Sequence, residues 1–243
     1  KTQARETALA LLPSVGIPEP ARRLRQYPHE MSGGMRQRIM IAIALACGPR
    51  MLFADEPTTA LDVTVQAQIL DLLQDLQRDR QMAMILVTHD LGVVAGRAHD
   101  IAVMYAGRIV EKAPSARLFA AGRHPYTEAL LRSIPKLEMD KHTRLDAISG
   151  RPPDLENVPE GGSFAPRCGY AQDICHTDDP PLQADADDPS HVFACHFPVG
   201  ETPVPTPGIK VDGRPPRVAA DDTTTPTTTG AGTTGATPTG GVY

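Results

Sequence analysis

Two short apolar segments, each followed by charged or histidine side chains, most constrain the fold of this 243-residue chain. The first, MLFAD, ends in Asp55 and leads into Glu56, and the second, AMILVTH, ends in His89. The residues between them, 63–80, carry apolar side chains at helical spacing. A strand, a helix and a second strand in this order predict two parallel strands that a helical crossover connects.

The other segments fit the same α/β pattern. Short apolar runs predict strands that are buried on both faces, and amphipathic runs predict helices. Together they predict an α/β fold with a mainly parallel sheet. We expect helices over residues 2–12, 33–46 and 63–80, buried strands over 50–55 and 83–89, and a pair of strands over 101–111 that turns at Gly107.

Candidate catalytic groups follow the two apolar strands. In open parallel sheets, ligands bind beyond the carboxyl ends of the strands, so we expect Asp55, Glu56 and His89 in one crevice. An aspartate after an apolar strand is typical of a Mg²⁺ site beside nucleotide phosphates. There Glu56 would orient and polarise an attacking water, and His89 would stabilise charge on the γ-phosphate. The alternative is a solvated strand end that carries no chemistry.

A second candidate site lies in HEMSGGMRQR, residues 29–38. Ser32 is a good N-cap, and Gly33 and Gly34 leave the first backbone N–H groups of the following helix open. A helix N-terminus with open N–H groups binds anions such as phosphate. The alternative is a capped helix that follows a glycine turn and binds no ligand.

The order of these motifs resembles that of the ATPase subunits of ABC transporters. MSGGMRQR matches the signature motif, MLFADEP the Walker B strand with its glutamate, TALD the D-loop, and LVTHD the switch histidine. The resemblance implies the C-terminal portion of a P-loop, RecA-like ATPase domain of the ABC type, including the signature helix. It implies catalysis by Glu56 and His89, Mg²⁺ binding by Asp55, and ATP binding by Ser32, Gly33, Gly34, Met35, Gln37 and Asp62, with Asp62 at the interface between two ATPase subunits.

Further segments resemble the oligopeptide and dipeptide importers of this family. HPYTEALLRSIP, ISGRPPDL and FAPRCGYAQDIC match their C-terminal extension. The resemblance implies ATP hydrolysis coupled to peptide import, at the cytoplasmic face of the cell membrane as a peripheral subunit. It also implies a second ATPase subunit and transmembrane permease subunits as partners, and indirectly an extracytoplasmic peptide-binding protein. Nucleic acid is not expected as a partner, since the net charge is -5.

The sequence departs from the family pattern in one motif. It contains no G-x-x-x-x-G-K-[ST], the loop that cradles the β- and γ-phosphates. In the family this loop lies upstream of the signature, and the stretch before Ser32 is too short to hold it together with its strands. We therefore expect an N-terminally truncated chain that is inactive alone. Such a chain would offer residues 32–34 to ATP that another subunit holds.

Two other functions fit part of the sequence. A non-catalytic module would dock onto a partner ATPase through the signature motif, which the missing phosphate loop favours. A soluble ABC ATPase of DNA repair or translation would share the core motifs. The HPYTEALL extension and the negative net charge argue against a role in DNA repair or translation.

Composition divides the chain into three predicted regions. Residues 1–113 are the partial ABC ATPase domain, and residues 114–199, rich in Pro, Asp, His and Cys, are the transporter-type extension. Residues 200–243 are rich in Pro, Thr and Gly and have little to bury, so they are predicted to be disordered.

Three cysteines in the extension form a candidate metal site. Many members of the resembled family carry four cysteines here, some of which bind a [4Fe–4S] cluster, and Cys168, Cys175 and Cys195 match three of them. Gly162 stands at the fourth position, so His196 or His176 would have to supply the missing ligand, or one iron would stay open. The alternative is a set of three reduced structural thiols.

Overall fold

The computed structural model describes residues 2–134 and 148–200, so the predicted disordered region lies outside the described residues except for Gly200. The described helices are α1 (Thr2–Ser14), α2 (Pro20–Arg23), α3 (Gly33–Leu45), α4 (Val63–Asp79), α5 (Leu91–Val94), α6 (Ser115–Ala121), α7 (Pro125–Arg132) and α8 (Asp173–Thr177). The described strands are β1 (Met51–Asp55), β2 (Ala83–Val87), β3 (Asp100–Tyr105), β4 (Arg108–Pro114), β5 (Gln183–Ala184) and β6 (Val192–Phe193).

The predicted parallel strand pair is confirmed. Strands β1 and β2 pair in parallel, with Asp55 opposite Val87, and α4 connects them. The apolar stripe of α4 packs into the core beneath this pair, as its helical spacing predicts. The buried residues of this first core cluster are Leu12, Val15, Ile17, Ile41, Ala42, Leu45, Leu52, Ala54, Ile69, Leu73, Leu76 and Met82.

The prediction that β1 and β2 are buried on both faces is wrong. Side chains alternate along a strand, and only the face that carries Leu52 and Ala54 lies in the core. On the other face Phe53 is 67% exposed, and Met51 is also exposed. Ile85 and Val87 of β2 are exposed as well. An apolar run does not by itself show whether a second layer covers the sheet.

The prediction of a mainly parallel sheet is also wrong for the part of the chain that the structure describes. A second sheet has the strand order β3-β4-β6-β5, and each of its pairs is antiparallel. The physical reason lies in the turn between β3 and β4, where Ala106 and Gly107 both have positive φ, at 47° and 79°. A two-residue turn with this backbone joins antiparallel neighbours.

A network of buried polar and charged side chains holds β6 and the residues that flank it against β4. Glu111 on β4 and His191 are fully buried, with 2.6 Å between Glu111 Oε1 and His191 Nε2. The Arg123 guanidinium donates to Asp185 at 2.6 Å and is the main reason that the pKa of Asp185 falls to about 2. The backbone N–H of His124 donates to the second Glu111 oxygen at 3.0 Å. The second sheet therefore joins β3 and β4, which end near the predicted region boundary at residue 113, to β5 and β6 of the predicted extension.

Helices α3 and α4 approach each other closely at their N-termini. A Cβ atom built on Gly34 would lie 2.8 Å from Val65 Cγ1, inside van der Waals contact. A Cβ atom on Gly33 would lie 3.5 Å from Leu61 Cδ2, an ordinary contact distance. Gly34 is thus required by packing in this chain, whatever its backbone N–H binds.

This difference predicts opposite outcomes for two neighbouring substitutions. Gly34→Ala should destabilise the protein by roughly 1–3 kcal/mol, because the new methyl group overpacks against Val65. Gly33→Ala, the matched control, should be neutral or slightly stabilising, since alanine favours helix more than glycine. Urea unfolding measures both, and Gly34→Ala combined with Val65→Ala should recover part of the loss. Equal stability of the two single variants would contradict the packing argument.

Candidate functional site

The parallel register brings Glu56 and His89 together beyond the ends of β1 and β2. The backbone N–H of Glu56 donates to the carbonyl of Val87 at 2.9 Å, which extends the strand pairing by one residue. Glu56 Oε1 then lies 3.0 Å from His89 Nδ1. Both side chains are largely exposed, so they are accessible to a ligand from solvent. Asp55, also exposed, ends β1 next to Glu56.

The carboxylate of Glu56 is held from two directions. Thr59 Oγ1 donates to Glu56 Oε2 at 2.8 Å, while His89 faces the other oxygen. These contacts, with Thr59 contributing more than His89, lower the pKa of Glu56. Sequence reasoning placed Thr59 in the TALD stretch but gave it no role. The only available signal was a hydroxyl three residues after Glu56 in a tight turn.

The charge on Glu56 determines which nitrogen of His89 carries a proton. A carboxylate only accepts hydrogen bonds, so the nitrogen that faces it, Nδ1, must donate. In the neutral ring, Nε2 is then an acceptor, and in the imidazolium both nitrogens donate. To bond Glu56 and an anion at the same time, His89 must therefore be protonated at both nitrogens.

The first turn of α3 is capped as predicted. Ser32 Oγ accepts a hydrogen bond from the backbone N–H of Met35 at 3.3 Å. Ser32 and Gly33 are exposed, which leaves this helix start open to solvent. Met35 and Gln37 are partly buried, and Met35 packs against the first core cluster. The side chain of Met35 therefore serves packing, and its backbone N–H belongs to the cap.

Residues 56–62 link the two candidate sites of the chain, the Glu56–His89 pair and the start of α3. The segment starts at Glu56 and ends at Asp62, whose Oδ1 caps α4 by accepting from the N–H of Val65 at 2.9 Å. Leu61, in the same segment, is the side chain that lies nearest to a Cβ atom built on Gly33. Asp62 is exposed and serves here as a helix cap.

The three cysteines of the extension surround one cavity. Cys168, Cys175, Cys195, Gly162 and His196 all line a space of about 500 Å³. Burial raises the pKa of the Cys168 thiol to about 11 and that of the Cys195 thiol to about 12, so both are neutral thiols at physiological pH.

The donor set of this cavity does not fit the predicted cluster. His196 Nε2 lies 3.1 Å from the backbone carbonyl of Asp178, and His176 is exposed on α8. Among residues 2–134 and 148–200, no group of three or more His, Cys, Asp or Glu side chains is arranged to hold a metal ion. The prediction of an iron–sulfur cluster is therefore not supported.

The hydrogen bond between His89 and Glu56 predicts a defined tautomer. In the wild-type chain with a neutral ring, His89 should carry its proton on Nδ1, because the Glu56 carboxylate accepts it. Glu56→Ala should shift the ring toward the Nε2–H form. Long-range ¹H–¹⁵N NMR spectra distinguish the two forms directly, with exposed His29 as the reference ring. An Nε2–H tautomer in the wild-type chain would contradict the geometry.

Two family sequence models match separate parts of the chain. The ABC transporter family model matches residues 2–59, which include the signature helix and β1. The model of the oligopeptide/dipeptide transporter C-terminal region matches residues 110–175. Within the described ranges, no helix has the length and hydropathy that a membrane crossing needs.

Individual relatives agree with these matches. The chain is 50% identical over 206 residues to the dipeptide transport ATP-binding protein DppD of Escherichia coli, covering 85% of this chain and 62% of that protein. It is 54% identical over 182 residues to the oligopeptide transport ATP-binding protein OppD of Bacillus subtilis, covering 75% of this chain and 51% of that protein. A dimeric structure of a bacterial ABC transporter cassette matches 45% of this chain and 46% of its own, at 33% identity with a TM-score of 0.40.

The chain thus spans about half to three fifths of the length of these curated relatives. Its two family matches occur in the order that the motifs predict, first the ABC ATPase and then the transporter extension. The α/β fold around β1 and β2 is accordingly part of an ABC ATPase fold. The chain belongs to the family of ATP-binding subunits of oligopeptide and dipeptide ABC transporters.

Proposed function

We propose that this chain is part of an ATPase subunit that couples ATP hydrolysis to the import of peptides. The observation that carries the proposal is the Glu56–His89 hydrogen bond of 3.0 Å beyond the ends of two parallel strands. In this proposal, Glu56 would be a general base beside His89, a group that would contact phosphate, as hydrolysis of a phosphoanhydride requires. Residues 1–113 would carry this chemistry, and residues 114–199 would form the extension of the peptide-importing class.

Each group at the strand ends has a distinct proposed role. The Asp55 carboxylate, an oxygen donor exposed beside Glu56, suits Mg²⁺ and would hold it. When bound, Mg²⁺ would neutralise charge on the phosphates. Glu56 would accept a proton from the attacking water and orient it. Protonated His89 would donate one N–H to Glu56 and the other to the γ-phosphate.

The start of α3 would act on a different ATP molecule. Ser32, with the N–H groups of Gly33 and Gly34, would face the γ-phosphate of ATP held by a second ATPase subunit. Met35, Gln37 and Asp62 would lie near the same ligand or at the interface with that subunit. The exposure of Ser32 and Gly33 supports this role, because the helix start is open to a partner.

The proposed partners are supported by the family to which the chain belongs. DppD and OppD, by their names, serve dipeptide and oligopeptide transport, and we extend this substrate class to the present chain. The subunit would bind at the cytoplasmic face of the membrane to transmembrane permease subunits. A peptide-binding protein outside the cytoplasm would act on it indirectly. Closure and reopening of the ATPase pair would move the permease between its states.

One observation favours a second candidate, a non-catalytic module that only docks onto a partner ATPase. The start of α3 is open to solvent at Ser32 and Gly33, and it can meet a partner without any contribution from the strand ends. In such a module the residues of the α3 start would matter for ATP turnover, while Glu56 and His89 would not.

A substitution at Glu56 separates the two functions. In a transporter assembled with the subunit that carries this sequence, Glu56→Gln should lower the kcat for ATP hydrolysis by at least about 10²-fold, because the general base is lost. ATP binding should persist, and Glu156→Gln, an exposed substitution outside the candidate site, should leave kcat unchanged. Unchanged turnover in Glu56→Gln would rule out the catalytic role and favour the docking module.

A further inference from the structure

The segment that follows β1 holds a contact that the proposed roles do not use. Glu56 and Ala60 both have positive φ, at 43° and 63°, which is uncommon for residues other than glycine. Between them, Thr59 donates two hydrogen bonds to Glu56. Its N–H donates to the Glu56 carbonyl at 3.2 Å, and its hydroxyl donates to Glu56 Oε2 at 2.8 Å. Backbone strain held by local bonds is typical of functional turns.

We propose that Thr59 is a positioning residue, which fixes the Glu56 carboxylate in the orientation that activates water. The inference rests on the proposed function, because it assigns Thr59 an effect on the general base. Thr59 itself touches neither water nor phosphate in this mechanism.

The positions of these contacts indicate that Thr59 controls the orientation of the Glu56 carboxylate and not only its location. His89 lies against Oε1 and the Thr59 hydroxyl against Oε2, so each carboxylate oxygen has one partner. Two contacts on different oxygens restrict rotation about the terminal torsion of Glu56, which is otherwise broad. An ionised carboxylate offers about four acceptor positions, so capacity remains to accept from a water molecule.

The turn that presents Thr59 is itself anchored at both ends. At its start, the backbone N–H of Glu56 donates a hydrogen bond to the carbonyl of Val87 on β2. Further along, the N–H of Leu61 donates to the carbonyl of Thr58 at 3.2 Å, and the Leu61 side chain packs against the first core cluster. The Thr59 hydroxyl therefore sits on a fixed turn, although its side chain is exposed.

Kinetics of variants at Thr59, Thr58 and Glu56 test the role in the assembled transporter. Thr59→Val keeps the shape but removes the hydroxyl, and should lower kcat about ten- to a hundredfold with little change in KM. Thr59→Ser retains a hydroxyl and should restore most of the activity. Thr58→Val is the neighbouring control and should have little effect. In a Glu56→Gln background, Thr59→Val should cause no further loss, because both act through one group.

A spectroscopic measurement on the 243-residue chain separates this inference from the proposed function. In ¹³C NMR spectra at fixed neutral pH, Thr59→Val should move the side-chain carboxyl signal of Glu56, and Thr59→Ser should restore it. Failure of Glu56→Gln to lower turnover would reject the proposed function, whereas the NMR signals report the Thr59 contact independently. An unmoved Glu56 signal in Thr59→Val, failure of Thr59→Ser to restore kcat, or an additive loss in the Glu56→Gln background would overturn the role of Thr59.

Discussion

The parallel hydrogen bonding of β1 with β2 is the constraint on which the rest of the site depends. Its register sets Asp55 opposite Val87, and the bond from Glu56 to the Val87 carbonyl continues it. Because both strands run in the same direction, the residues that follow them emerge at the same edge. Glu56 and His89, far apart in sequence, therefore meet at hydrogen-bonding distance. A shift of register by one residue would separate the pair and move each apolar strand residue to the other face.

Several residues proposed to bind ligand at the start of α3 also have packing or capping roles in this chain. Gly34 lacks a side chain where Val65 approaches, and Ser32 closes the first turn of α3. Asp62 does the same for α4. These contacts hold two helix starts and the turn after β1 in a fixed arrangement. A ligand that binds the start of α3 would thus meet a surface that the core of the same chain already supports.

Sequence patterns predicted the elements whose local signals were strong. The apolar stripe of α4 and the two strands around it appear at nearly the predicted residues, because helical and strand periodicities differ clearly. The start of α3 was predicted from the capping chemistry of Ser32 and the two glycines that follow it, whereas the capping role of Asp62 on α4 was not predicted. Helix α1 runs on to Ser14, past the predicted end at residue 12, with Pro13 inside its last turn.

Features that depend on distant contacts were not predictable in this way. Strands β5 and β6 have two residues each, too few for a periodic signal, and they are held beside β4 by the buried network of Glu111 and His191. The exposed face of β1 depends on which layers cover the sheet, and no pattern within Phe53 and its neighbours reveals this. The proposed role of Thr59 requires a turn with positive φ at Glu56 and Ala60, and neither residue type gives a sequence signal for positive φ.

We propose that the start of α3 acts on ATP held by another subunit, whereas Glu56 acts on ATP held by the subunit to which it belongs. A direct test assembles the subunit that carries this sequence with a family ATPase subunit whose signature serine is disabled, so that turnover can occur only at ATP held by that second subunit. The wild-type subunit and its Glu56→Gln variant should then both restore ATP turnover, because Glu56 does not act at that ATP, whereas the Ser32→Asp variant should not restore it. Restoration by Ser32→Asp, or loss of restoration in Glu56→Gln, would contradict the proposal.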